Sequence, residues 1–156
     1  MRRLCSMVSA AVFAVLVSAA PGVAGAEEGD SAIAPQAVQT FKSYGTGKCM
    51  DDSHVGLRVF PCNGLNYQKW QVQVWPNGTR ELRNVATGRC VDHSHEGLRS
   101  FPCNRSAYQS WKVRKNTLGI EFVNLHTGRY LMSAPDGLNE LWAVKWSVGG
   151  ANAIWI

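Results

Sequence analysis

Apolar and polar residues alternate in short stretches along the chain. Residues 71–75 (QVQVW), 81–85 (ELRNV) and 120–125 (IEFVNL) carry the period of two that turns one face of a strand inward and the other to solvent. Turn-forming clusters separate such stretches: Pro76-Asn77-Gly78, Thr87-Gly88, Lys115-Asn116 and Asp136-Gly137. No run recurs at i, i+3, i+4, i+7, so the pattern predicts strands and turns, not helices.

The beginning of the chain has another texture. Arg2 and Arg3 precede an apolar run from Met7 to Ala20, followed by Pro21, Gly22 and the small-residue motif Ala24-Gly25-Ala26. This is the layout of a secretory signal peptide over residues 1–26, and it predicts an extracellular product. No later segment has the roughly 18 uninterrupted apolar residues of a membrane span. Residues 27–38 (EEGDSAIAPQAV) show neither period and are expected to form a flexible arm. The folded domain is then residues 39–156.

That domain repeats itself. Shifted by 41 positions, residues 46–72 (TGKCMDDSHVGLRVFPCNGLNYQKWQV) match residues 87–113 (TGRCVDHSHEGLRSFPCNRSAYQSWKV) at 17 of 27 places. Cys49 falls on Cys90, Cys62 on Cys103 and Trp70 on Trp111. A third copy, shorter and without cysteines, runs from Thr127-Gly128-Arg129-Tyr130 through Gly137-Leu138 to Val144-Lys145-Trp146. The copies span about 39–80, 81–120 and 121–156. Strands this short cannot bury an apolar face alone, so three copies predict an all-β fold closed with threefold pseudo-symmetry.

Composition narrows the possibilities. The 156 residues are 46% hydrophobic and 17% charged, which excludes a disordered chain and leaves room for one domain. Loss of Arg2 and Arg3 with the signal lowers the formal charge from +5 to +3, with no polybasic block, so nucleic acid is not an expected partner. Cys5 would leave with the signal. Four cysteines then remain in an oxidising compartment, and an even number predicts two disulfides.

The motifs T-G-[KR]-C-x-D, F-P-C and Q-x-W, recurring in order in both cysteine-bearing copies, resemble the ricin-type β-trefoil, a carbohydrate-binding fold. The resemblance covers essentially the whole domain. It implies the pairings Cys49–Cys62 and Cys90–Cys103, and it makes residues 153–156 (AIWI) the strand that closes the barrel. Trp70, Trp111 and Trp146 are then expected in the core, one per copy.

The resemblance also assigns a sugar site to each of the first two copies. Asp51 and Asp92 would accept hydrogen bonds from sugar hydroxyls, Phe60 and Phe101 would cover the apolar C–H face of the ring, and Gln68 and Gln109 would orient the ligand. Tyr67 and Tyr108 stand where the family usually has asparagine, and the stretch between the cysteines is several residues shorter than usual. The third copy has Met132 in place of the aspartate and is expected to be silent.

Both good copies share Ser-His-x-Gly-Leu-Arg. This reads either as a tight turn that needs Gly56 and Gly97, or as a polar ligand loop of His54 and Arg58, and of His95 and Arg99. The guanidinium fork would extend recognition to carboxylate or sulfate. His93 and His95 form an H-x-H pair, but no third or fourth ligand accompanies it, so no metal site is expected. No catalytic motif stands in the chain and no cofactor is implied. The expected function is a secreted lectin-like module with up to two sugar sites, for galactose-type or other glycans. The alternative is a non-catalytic trefoil that has lost sugar binding and recognises a protein, as an inhibitor, toxin-associated subunit or adhesion factor.

Overall fold

The alternating stretches all become strands. In the computed structural model, which describes residues 36–135, 138–145 and 150–156, eleven strands and two short 3-10 turns account for the regular structure. The strands are β1 (Ala37–Gln39), β2 (Cys49–Ser53), β3 (Gly56–Phe60), β4 (Trp70–Val74), β5 (Arg80–Asn84) and β6 (Arg89–Ser94). They continue as β7 (Gly97–Pro102), β8 (Trp111–Lys115), β9 (Ile120–Asn124), β10 (Tyr130–Ser133) and β11 (Leu141–Val144). The signal segment lies outside the described residues, as does residues 27–35 of the expected arm. Ala37 and Val38, at the end of that arm, join β1 and pair with Val72 and Gln71 of β4. No helix among the described residues is long and apolar enough to cross a membrane.

Every pairing is antiparallel, and each copy contributes one hairpin of its own: β2–β3, β6–β7 and β10–β11. The three hairpins touch one another pairwise. The wider ladders β4–β5 and β8–β9 carry the sequence between copies. The chain end closes the structure: Trp155 bridges both Ser43 and Ile120, and Lys42 exchanges backbone hydrogen bonds of 2.9 Å with Ile156.

The core has one layer per pseudo-equivalent position. Met50, Val91 and Leu131 are fully buried, as are Trp70, Trp111 and Trp155, and each indole N–H donates to the carbonyl of its partner in the first set at 3.0–3.1 Å. Burying an indole requires a partner for its N–H, and the strand carbonyl supplies it. Phe41, Leu82 and Phe122 form a further set, with Phe41 and Phe122 edge-to-face at 5.0 Å.

The tryptophan of the third copy is thus Trp155, whereas Trp146 lies outside the described residues. The reason is length: indole and carbonyl are 20 residues apart in the first two copies and 24 apart in the third. The third copy is longer over this stretch, not shorter, chiefly because Ser133 and Leu141 pair across seven intervening residues where Asp52 and Leu57 pair across four.

Both disulfides implied by the resemblance are present, Cys49–Cys62 and Cys90–Cys103, each with a Cα–Cα distance of 5.1 Å and a sequence separation of 13. A loop of that size is stabilised by roughly 3 kcal/mol through restriction of the unfolded chain. Each bridge ties the base of a hairpin to the segment that carries the conserved-in-copy glutamine.

Candidate functional site

Hairpin register decides where the site residues meet. In the first copy Ser53 faces Gly56, so His54 and Val55 form a two-residue loop and Asp51 falls opposite Arg58. The second copy repeats this with Ser94 facing Gly97 and Asp92 opposite Arg99. Gly56 and Gly97 sit at φ of 97° and 92°, a region that L side chains rarely enter. The shared Ser-His-x-Gly-Leu-Arg is therefore first of all a turn: serine and glycine shape it, and Leu57 and Leu98 pack on the core.

The structure brings Asp, Arg, Phe and Gln together in each bridged copy. Arg58 Nε donates to Asp51 Oδ1 at 2.9 Å while its guanidinium lies 4.1 Å from the centre of the Phe60 ring. Arg99 Nε donates to Asp92 Oδ1 at 3.3 Å and stands 4.3 Å from the centre of the Phe101 ring. Both aspartates are buried, whereas the arginine side chains remain 26% and 35% exposed. The guanidinium thus joins carboxylate to aromatic face and is open to solvent, as is the Phe101 ring beside it.

The glutamines are the rigid part. Gln68 accepts from the Asn63 backbone N–H at 2.8 Å, donates to the Pro61 carbonyl at 3.1 Å and reaches Asp51 Oδ2 at 3.4 Å. Gln109 accepts from Asn104 N–H at 2.8 Å and donates to the Pro102 carbonyl at 3.0 Å. Both are wholly buried, so every polar atom there needs a partner, and these bonds pin the segment after the second cysteine.

Tyr67 and Tyr108 contribute through backbone as well as ring. Their carbonyls accept from the Asn84 and Asn124 side chains at 2.7 Å each. Tyr67 is 39% exposed, and the Tyr108 ring packs at 4.3 Å against His126. His54 and His95 do not join the Asp–Arg pairs. Both project from the hairpin tips, and His95 pairs with its neighbour Glu96 at 2.9 Å.

The H-x-H histidines have different surroundings. His93 is buried and its Nδ1 shares a 2.8 Å hydrogen bond with Thr127 Oγ1, while His95 is exposed. Burial holds the His93 imidazole below its ordinary pKa; Arg129 pushes the same way, and Asp92 offsets part of this. The only triad of metal-type side chains among the described residues is Glu81 with Cys90 and Cys103, whose sulfurs are spent on a disulfide.

His126, Thr127 and Arg129 escaped the sequence reading. They line a cavity of about 390 Å³ with His93, His95 and Tyr108, across the boundary between the second and third copies. The available signal was the alignment of Thr87-Gly88-Arg89 with Thr127-Gly128-Arg129.

Three pseudo-equivalent hairpins around a shared core, two of them carrying an Asp–aromatic–Gln cluster behind a disulfide, define a β-trefoil of the sugar-binding kind. The sequence profile of the ricin-type beta-trefoil lectin domain matches residues 37–155, and the chain belongs to that family. No curated protein matches the chain.

Solved structures share the fold at low identity. The designed threefold-symmetric protein ThreeFoil superimposes with a TM-score of 0.69 at 16% identity, over 76% of this chain and 95% of that one. A mosquitocidal holotoxin gives 0.68 at 19% identity, over 78% of this chain and 17% of its own. The Polyporus squamosus lectin, in a structure bound to Neu5Aca2-6Galb1-4GlcNAc, gives 0.69 at 12%, over 78% and 48%. The chain therefore spans under half the length of the last two proteins.

Proposed function

We propose that the chain is a secreted, non-catalytic glycan-binding module with two equivalent sites, one in each bridged copy, that select glycans carrying a carboxylate or sulfate. The observation that carries this reading is the position of Arg58 and Arg99. Each guanidinium is tied to its aspartate through Nε, and among the described residues its Nη groups make no hydrogen bond. Those donors face solvent beside an aromatic ring, which suits a sugar ring bearing an anionic substituent. A neutral sugar in the same place must first displace the guanidinium from both the carboxylate and the ring face. Family membership supports carbohydrate as the ligand class, and the Polyporus squamosus lectin shows the same fold bound to an epitope that contains an acidic sugar. Two sites on one chain would gain by bivalency on a repeated glycan.

A glycan array with neutral galactosides, xylan fragments and sialylated or sulfated sugars tests this. The wild type should retain acidic glycans, and Arg58→Ala combined with Arg99→Ala should lose them by at least about tenfold while gaining neutral ones. Retention of neutral glycans alone by the wild type would overturn the selectivity. A folded sample that retains no glycan would favour the second reading, a protein partner. That reading draws on the exposed side chains of Tyr67, Phe101 and Trp142, since exposed aromatics anchor protein interfaces.

A further inference from the structure

Each copy docks on the next through one residue of its hairpin and the Thr-Gly-basic turn that follows. At the first seam Asp52 takes this place. Arg89 grips its carboxylate with two hydrogen bonds of 2.7 and 3.1 Å, and Thr87 Oγ1 donates to it as well. At the closing seam the residue is Ser133, which meets Ser43 at 2.7 Å and Thr46 at 3.4 Å. At the second seam it is His93, which meets Thr127. Arg129 stands where Arg89 stood, but the carboxylate is gone.

The loss leaves a basic cavity. Among the described residues no carboxylate pairs with Arg129, whose guanidinium donates to the Ala143 carbonyl at 3.1 Å. His126 adds a second imidazole, held against Tyr108. The cavity of about 390 Å³ is more than ten times the ~30 Å³ share of one water molecule, ample for an oxyanion with its hydration. Acidic groups nearby are already engaged: Asp92 with Arg99, and Glu96 with His95 at the cavity mouth.

We propose that this seam is an anion site, in which Arg129, His93 and His126 bind the sulfate or carboxylate group of a ligand in the cavity beside His93, supplying the negative charge that Asp52 gives Arg89 at the first seam. The planar guanidinium supplies two parallel donors, and each imidazole supplies a donor and, when protonated, a charge. The site shares Tyr108 with the second copy's candidate sugar site, but it does not depend on sugar binding there.

Inorganic sulfate is the probe, followed through the histidine ring resonances of the full oxidised chain by NMR titration. His93 and His126 should shift together and saturably, and Arg129→Gln should weaken binding by about tenfold or more. His93→Asp should abolish it, because the new carboxylate would pair with Arg129 as Asp52 pairs with Arg89; the sister seam shows that this arrangement folds. Binding should tighten on acidification from about pH 7.5 to about pH 5.5, because a protonated imidazole adds a positive charge beside the anion. Around these rings stand Arg129, Tyr108 and, in the ion pairs already described, Asp92 and Glu96. A sulfated disaccharide run alongside locates the source of the anion: tighter binding than free sulfate points to a glycan, equal binding to a free ion, and either sustains the site. Histidine resonances that do not move with sulfate would overturn it, as would variants that titrate like the wild type. Asp51→Asn leaves this titration unchanged, so failure of the sugar sites and failure of this one are separable.

Discussion

The two bridged copies and the unbridged third copy share a core and little else. All three place a buried tryptophan whose indole N–H donates to a strand carbonyl, and all three use the Thr-Gly turn with Gly47, Gly88 and Gly128 at φ of 66–68°. Only the first two add a disulfide, the Asp–Arg pair and the buried glutamine. The third has seven residues between Ser133 and Leu141 where the first has four between Asp52 and Leu57, and Met132 in place of the aspartate. What recurs three times closes the fold; what recurs twice is a bridged cluster of carboxylate, guanidinium and amide built on it.

The comparison is sharpest at the tryptophans. If the core demands the same from every copy, Trp155→Ala should cost as much as Trp111→Ala, about 3–5 kcal/mol each by urea unfolding. Both side chains are fully buried and make the same hydrogen bond, at 3.1 and 3.0 Å. A Trp155 variant losing under about 1 kcal/mol would mean that the third copy is a looser appendage to a two-copy core.

The disulfides come next in size. Cys62→Ala with Cys49→Ala, and Cys103→Ala with Cys90→Ala, should each cost roughly 3 kcal/mol, because both loops have the same separation of 13. Thermal unfolding of the two double variants and of the reduced wild type checks this. Unequal losses would show that the two bridged copies, so alike in sequence, differ in how strongly their unfolded segments resist closure.

How far the sequence foretold these features follows from their range along the chain. The tight turns and the copies themselves are local, and the 41-residue offset exposed them. The family resemblance supplied the disulfide pairing, and the Asp51–Arg58 register appeared only in the structure, set by the two-residue loop between Ser53 and Gly56. Trp155 was hidden because the four extra residues of the third copy carry its tryptophan past Asn152, where the offset alone would look. The cavity at the second seam was hidden for another reason. Its partners His93 and Thr127 are 34 residues apart and belong to different copies, so no motif within one copy contains them. Reading the repeat as a set of seams instead of a set of copies would have set His93 against Asp52 and asked what Arg129 pairs with.

The smallest effect separates the first seam from the second through pH. His93 has its folded pKa held below the ordinary value of 6.5, chiefly because burial disfavours the charged ring. Above about pH 6.5 both native and unfolded chains carry a neutral ring there, and the full stability is present. Between that value and the lower folded pKa only the unfolded chain takes up the proton, so stability declines as pH falls through this window and levels off below it. His93→Asp should remove this part of the decline and supply Arg129 with a carboxylate. Its urea midpoint, compared with wild type at about pH 7.5 and about pH 5.5, should therefore fall less on acidification. Sulfate should reduce the wild-type decline in the same direction, because an anion beside His93 favours the protonated native ring. A variant whose midpoint falls as steeply as wild type would place the titration elsewhere, and the two seams would then differ in contacts but not in their response to protons.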